Sequence, residues 1–141
     1  MRAFAIALLL LTAAGCKKDQ QPELIIDPVI EKIALKGTFQ RNTTVEGPKV
    51  PVELEVGANG GYRNKGAAYA NRYPVIGYGR FESGVDFINF IDSSHYTADF
   101  DWSLILQGKY QASREGDSIV LTKVYGTQQK DIYKLKMVAA N

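Results

Sequence analysis

A chain of 141 residues that is 45% hydrophobic and 23% charged has the length and make-up of one ordinary globular domain, which excludes a disordered or collagen-like chain. Its 17 basic and 15 acidic residues leave a formal net charge of +2, without the concentrated basic face that nucleic-acid binding needs. A single cysteine rules out an intrachain disulfide.

The chain opens on Met1-Arg2 followed by an apolar run to Ala14, which has the length and polarity of an export signal and is too short to span a bilayer, for which ~20 residues are needed. The run ends in Ala13-Ala14-Gly15-Cys16, small residues directly before the one cysteine, and this resembles the lipobox of bacterial lipoproteins. The resemblance implies a signal peptide over 1–15, cleavage before Cys16, and lipidation of Cys16. Acyl chains, at ~0.8 kcal/mol per buried CH₂, would then hold the protein on a membrane. Lys17-Lys18 follows the cysteine, with no Asp directly after it, so the expected address is the cell envelope at the outer membrane. Residues 16–30 read as the lipidated cysteine and a polar tether, with Asp27-Pro28 carrying the chemistry of a short helical start.

From 31 to 141 the pattern is that of strands. Residues 33–43 alternate Ile33, Leu35, Gly37 and Phe39 against Lys36, Thr38 and Gln40, and 50–56 alternate Val52, Leu54 and Val56 against Glu53 and Glu55. Gly57-Ala58-Asn59-Gly60-Gly61 must turn. Residues 62–74 are irregular and read as a long loop with room for a short strand or a helical turn. Strands are expected over 75–82, where Gly77 and Gly79 imply a sharp bend or a close backbone approach, and over 85–91, with Ser83-Gly84 between them. Asp92-Ser93-Ser94-His95 reads as a turn. The longest strand is expected over 102–112, with Trp102, Leu104, Leu106, Gly108, Tyr110 and Ala112 on one wall. Strands over 117–125 and 130–138 complete the set. Seven or eight strands in successive hairpins leave two raw edges, and closing the sheet removes both. The fold expected is all-β, an antiparallel up-and-down barrel of about eight strands.

Gly37-Thr38-Phe39 on the first strand is similar to the lipocalin Gly-x-Trp, with Phe at the aromatic position. The hairpin of 102–110 with Asp117-Ser118-Ile119-Val120-Leu121-Thr122 resembles late hairpins of the same group. Tyr73-Pro74-Val75-Ile76-Gly77 and Thr97-Ala98-Asp99-Phe100-Asp101-Trp102 resemble an uncharacterised family of small bacterial lipoproteins with a lipocalin-like (calycin-like) barrel. The resemblance implies a cavity for an apolar small molecule and brings no activity with it.

Few residues carry the spacing of a reactive site. His95, the only histidine, lies beside Asp92, Ser93 and Ser94, too close along one extended stretch for a nucleophile–base–orienter set, and it reads as a surface residue of a polar turn. Asp92, Asp99 and Asp101 have the oxygen chemistry of a hard-cation site but lack a cation-loop spacing, so no metal or other cofactor is expected. Asp117-Ser118-Ile119 resembles an O-glycosylation sequon and also reads as a strand start. The protein is therefore expected not to be an enzyme. The aromatics stand out: Phe39, Phe81, Phe90, Trp102, Tyr110 and Tyr133 suit a barrel interior, while Tyr62, Tyr69, Tyr73 and Tyr78 lie in or near the glycine-rich loops. The residues expected to contact a ligand are Tyr62, Tyr69, Tyr73, Tyr78, Trp102 and Tyr110. The leading expectation is a lipid-anchored binding protein that captures a small apolar or amphipathic ligand in its barrel. The alternative is a module that meets an envelope protein or glycan through a tyrosine-rich rim.

Overall fold

The structure, a computed structural model, describes residues 32–66, 73–97 and 101–138. Eight strands follow in chain order: β1 (Lys32–Asn42), β2 (Lys49–Gly57), β3 (Gly61–Asn64), β4 (Tyr78–Ser83), β5 (Phe87–Asp92), β6 (Gly108–Glu115), β7 (Ser118–Tyr125) and β8 (Gln129–Val138). Each pairs antiparallel with its chain neighbours, and β8 returns to pair with β1, so the sheet closes into a barrel of up-and-down, lipocalin-like topology. Strand alternation puts Ile33, Leu35 and Phe39 of β1, Val52, Leu54 and Val56 of β2, and Tyr133 and Leu135 of β8 into one buried core. The opposite parity stays wet. On that outer face Lys36 and Lys136 stand directly opposite one another across the β1–β8 seam, and each turns away to a carboxylate on the far side, Lys36 to Glu53 (3.3 Å) and Lys136 to Asp117 (2.9 Å).

Two glycines permit the closure. A methyl group on Gly37 would drive into the carbonyl of Lys134 on β8, and one on Gly79 into the carbonyl of Ile91 on β5. The second is the close backbone approach expected from the glycines of this strand.

The expected longest strand is corrected. Residues 102–112 do not form one strand: Trp102–Leu104 is a single 3₁₀ turn, Ile105 makes an isolated parallel bridge with Val75, and β6 begins only at Gly108. The reason is local. The Asp101 side chain accepts hydrogen bonds from the Ser103 backbone (2.9 Å) and hydroxyl (2.6 Å), which holds the first turn, and Gly108 sits at φ +81, where the chain swings into the sheet. Trp102 is consequently 51% exposed and not part of the interior, and β1 is the longest strand. Ser118 is buried and opens β7, so Asp117-Ser118-Ile119 is a strand start. The expected helical start at Asp27-Pro28, the tether and Cys16 lie outside the described residues.

The barrel has two unlike ends. The tight connections 58–60, 84–86 and 116–117 lie at one end, where β1 also begins and β8 finishes. The connections 43–48, 65–77, 93–107 and 126–128 lie at the other, called here the long-loop end.

Candidate functional site

The interior is built from aromatic rings in mutual contact. Tyr73 meets Phe39 (centroids 5.2 Å apart), Phe39 meets Tyr133 (4.7 Å), Tyr133 meets Tyr110 (5.8 Å), Tyr110 meets Phe90 (5.8 Å) and Phe90 meets Tyr62 (5.1 Å). Most are edge-on, the arrangement that sets a ring's positive edge against a neighbour's negative face. A barrel of this strand number has an interior just wide enough for side chains to fill, and this chain of rings runs through it.

The residues expected to contact a ligand therefore divide. Tyr62 (3% exposed) and Tyr110 (1% exposed) are core. The Tyr62 hydroxyl donates between the Asp92 carboxylate (3.1 Å) and the Leu106 carbonyl (3.2 Å), and burial first, then the Asp92 charge, push its ionisation far above the ordinary tyrosine value. Tyr73 is half-buried against Phe39. Tyr78 (55% exposed) and Trp102 face solvent at the long-loop end, and the Tyr96 ring stands edge-on to Trp102 at 6.1 Å. Tyr69 and Asp99 lie outside the described residues. Of the expected interior aromatics, Phe39, Phe90, Tyr110 and Tyr133 are buried, Phe81 packs beside them, and Trp102 is the exception.

Asp92 is enclosed by hydroxyls. Tyr96 donates to it at 3.0 Å alongside Tyr62, and the Ser94 backbone donates at 2.8 Å. His95 is exposed. Among the described residues no three His, Cys, Asp or Glu side chains come together as a metal set would.

A second polar cluster at the same end escaped the sequence reading. Arg41, on the inward parity of β1, uses all five of its N–H groups. Nε and Nη2 grip the Asp131 carboxylate of β8 at 2.6 and 2.7 Å. Nη1 donates to Asp101 Oδ2 (3.2 Å) and Ser103 Oγ (2.9 Å), and Nη2 also to the Ser103 carbonyl (2.8 Å). The fork of a guanidinium matches a carboxylate two bonds at a time, which is why arginine suits this place. Asp131 is 1% exposed, so the pair is buried, and its partner count is what makes that tolerable. Tyr125 of β7 adds its hydroxyl to the Ser103 carbonyl (3.3 Å) and its ring to Arg41 (5.7 Å). Lys123, opposite Asp131 in the β7–β8 register, donates to the Gln107 carbonyl (2.6 Å) beside the rings of Tyr125 and Tyr110. Burial lowers its ammonium below the ordinary lysine value. Asp101 is held below the usual carboxylate range, first by the Ser103 hydroxyl and backbone, then by Arg41. The readable signal was parity: Arg41 and Asp131 continue the inward rows of the first and last strands, opposite charges where only apolar side chains are expected.

Two polar clusters thus sit at one end of a closed, eight-stranded antiparallel barrel of lipocalin-like topology. No family model, curated protein or solved structure matches the chain.

Proposed function

We propose that this protein is a non-enzymatic, lipid-anchored protein of the cell envelope that recognises its partner with the long-loop end of the barrel. The observation that carries the reading is the sorting of the aromatics. Those turned inward interlock through the barrel, while Tyr78 and Trp102, with Tyr96 against the latter, gather where the long connections are. A ring with one wide apolar face and a polar tip suits protein surfaces and sugar rings alike. The anchor is read from Ala13-Ala14-Gly15-Cys16. Because β1 begins at the short-turn end, a tether leading into it hands the long-loop end to whatever lies away from the membrane.

Photo-crosslinking in the native cell tests this. A benzophenone amino acid at Tyr78 or Trp102 is expected to give a discrete adduct, and the same group at Val85 or Gly116, at the other end, none. Adducts from Val85 or Gly116 alone would reverse the assignment. A small apolar ligand captured inside the barrel would instead meet the interlocked rings of Phe39, Tyr133, Tyr110 and Phe90.

A further inference from the structure

We propose that residues 101–107 are an internal stand-in for an amphipathic carboxylate, and that such a molecule binds the barrel mouth by displacing them. This goes beyond the rim reading and does not rest on it.

The segment crosses the long-loop end between β5 and β6 and belongs to no strand ladder. Its backbone is held by two bonds to Val75, from Val75 N to the Leu104 carbonyl (3.1 Å) and from Leu106 N to the Val75 carbonyl (2.9 Å). Side-chain donors from inward positions of the barrel wall hold it as well. Arg41 supplies three bonds to Asp101 and Ser103, Tyr125 one to Ser103, and Lys123 one to Gln107. Tyr62 adds one to Leu106. Behind these acceptors come Leu104, Ile105 and Leu106, of which Ile105 and Leu106 are fully buried and Leu104 packs against the core. The segment thus presents a carboxylate and carbonyl oxygens to a cluster of cationic and hydroxyl donors, and the branched side chains of Leu104 and Leu106 to the aromatic interior. That is the chemistry of a single-chain carboxylate amphiphile.

The charge balance points the same way. Asp131 offsets one of the two wall cations, Arg41 and Lys123. Asp101 is the second anion facing Arg41, and it lies on the segment itself with its side chain 56% exposed. Across the mouth, Asp92 is already engaged by Tyr62, Tyr96 and Ser94. Lifting the segment therefore leaves two partly buried cations facing one carboxylate, a setting that calls for an anion.

The test uses the purified protein with sodium dodecanoate, its neutral methyl ester, and two variants. Dodecanoate is expected to bind saturably with one equivalent per barrel. It should speed amide exchange at Leu104 and Leu106 while leaving β1 and β8 amides unchanged, because the segment leaves and the barrel stays. The ester should bind at least ~10-fold more weakly, since a charge-assisted bond is lost. Lys123→Met is expected to weaken dodecanoate by a similar factor. Asp101→Asn, which loosens the resident segment, should tighten it several-fold, on the order of the increase in the open fraction. Equal binding of acid and ester, slower exchange across Leu104 and Leu106, or absence of saturable binding to Asp101→Asn would each overturn the proposal.

Discussion

Tyr62, Tyr110 and Tyr133 carry hydroxyls inside a barrel, and the physics of a buried phenol governs how the molecule answers to alkali. Burial opposes the phenolate in each, and nearby Asp92 or Asp131 opposes it further, so all three ionise well above the ordinary tyrosine value. Tyr96 and Tyr125, nearer the surface, are pushed up to about 12, chiefly by burial. A folded-state value above the unfolded one of ~10 means that the fold favours the neutral phenol. The stability this contributes is present in full below pH ~10 and erodes as the pH climbs from there toward the folded values. A phenolate absorbance titration followed beside far-ultraviolet circular dichroism should show part of the tyrosine signal appearing only as the strand signal disappears. A complete titration of all eight tyrosines with the strand signal intact would contradict the burial described here.

At the scale of elements, the seam between β1 and β8 decides whether a barrel exists. Nine residues of each strand pair, from Ala34 with Val138 to Asn42 with Lys130. Gly37 sits within it, and any Cβ there meets the Lys134 carbonyl before the ladder can form. Backbone cannot yield as a flexible side chain can, so Gly37→Ala should cost at least the ~1–3 kcal/mol of an overpacked core, read as a lower urea midpoint with an unchanged slope. Gly116→Ala at a tight turn serves as the comparison. There a Cβ meets nothing within 4 Å, and the cost is confined to the positive φ of 61°. A smaller loss at Gly37 than at Gly116 would show that the two strands are not in this register. The stretch 101–107 illustrates the opposite case, an alternation that reads as strand but folds as a turn and a crossing segment. The side chains at Asp101 and Ser103 supply a local competitor to the ladder, and Gly108 supplies the bend.

The molecule as a whole is closed but not evenly strong around its circumference. β1 pairs over nine residues with each of β2 and β8, and β7 over eight with β8, whereas β3 pairs over three on either side. Local opening follows the number of cooperative bonds that must break together. Hydrogen exchange should therefore be slowest for the β1–β2 and β7–β8–β1 amides and fastest for Gly61–Asn64 and its partners on β4. Uniform protection around the barrel would argue against β3 as the weak arc. The short arc lies on the side where the connection 65–77 departs, and Val75 of that connection is also the backbone partner of the crossing segment. Motion at the weak arc and release of residues 101–107 thus share one residue.

Much of this was legible from residue order. The period-two rows of β1, β2 and β8 place Phe39, Leu54, Tyr133 and Leu135 inside whatever the neighbours are, because a strand has only two faces. Glycine-rich turns mark where hairpins reverse, and the absence of any helical period leaves closure as the way to hide the edges. The lipobox-like Cys16 is likewise a property of local sequence. The polar site was not legible in the same way. Arg41 and Asp131 are 90 residues apart, and only the closing of β8 onto β1 makes them a pair. Nor does composition show that Tyr62 and Tyr110 are core while Tyr78 and Trp102 look outward, since a tyrosine's aromatic face suits either setting. Alternation fixes which residues share a face, but the partner across that face is chosen by three-dimensional closure, and the charge and ring contacts at the barrel mouth exist only between such partners.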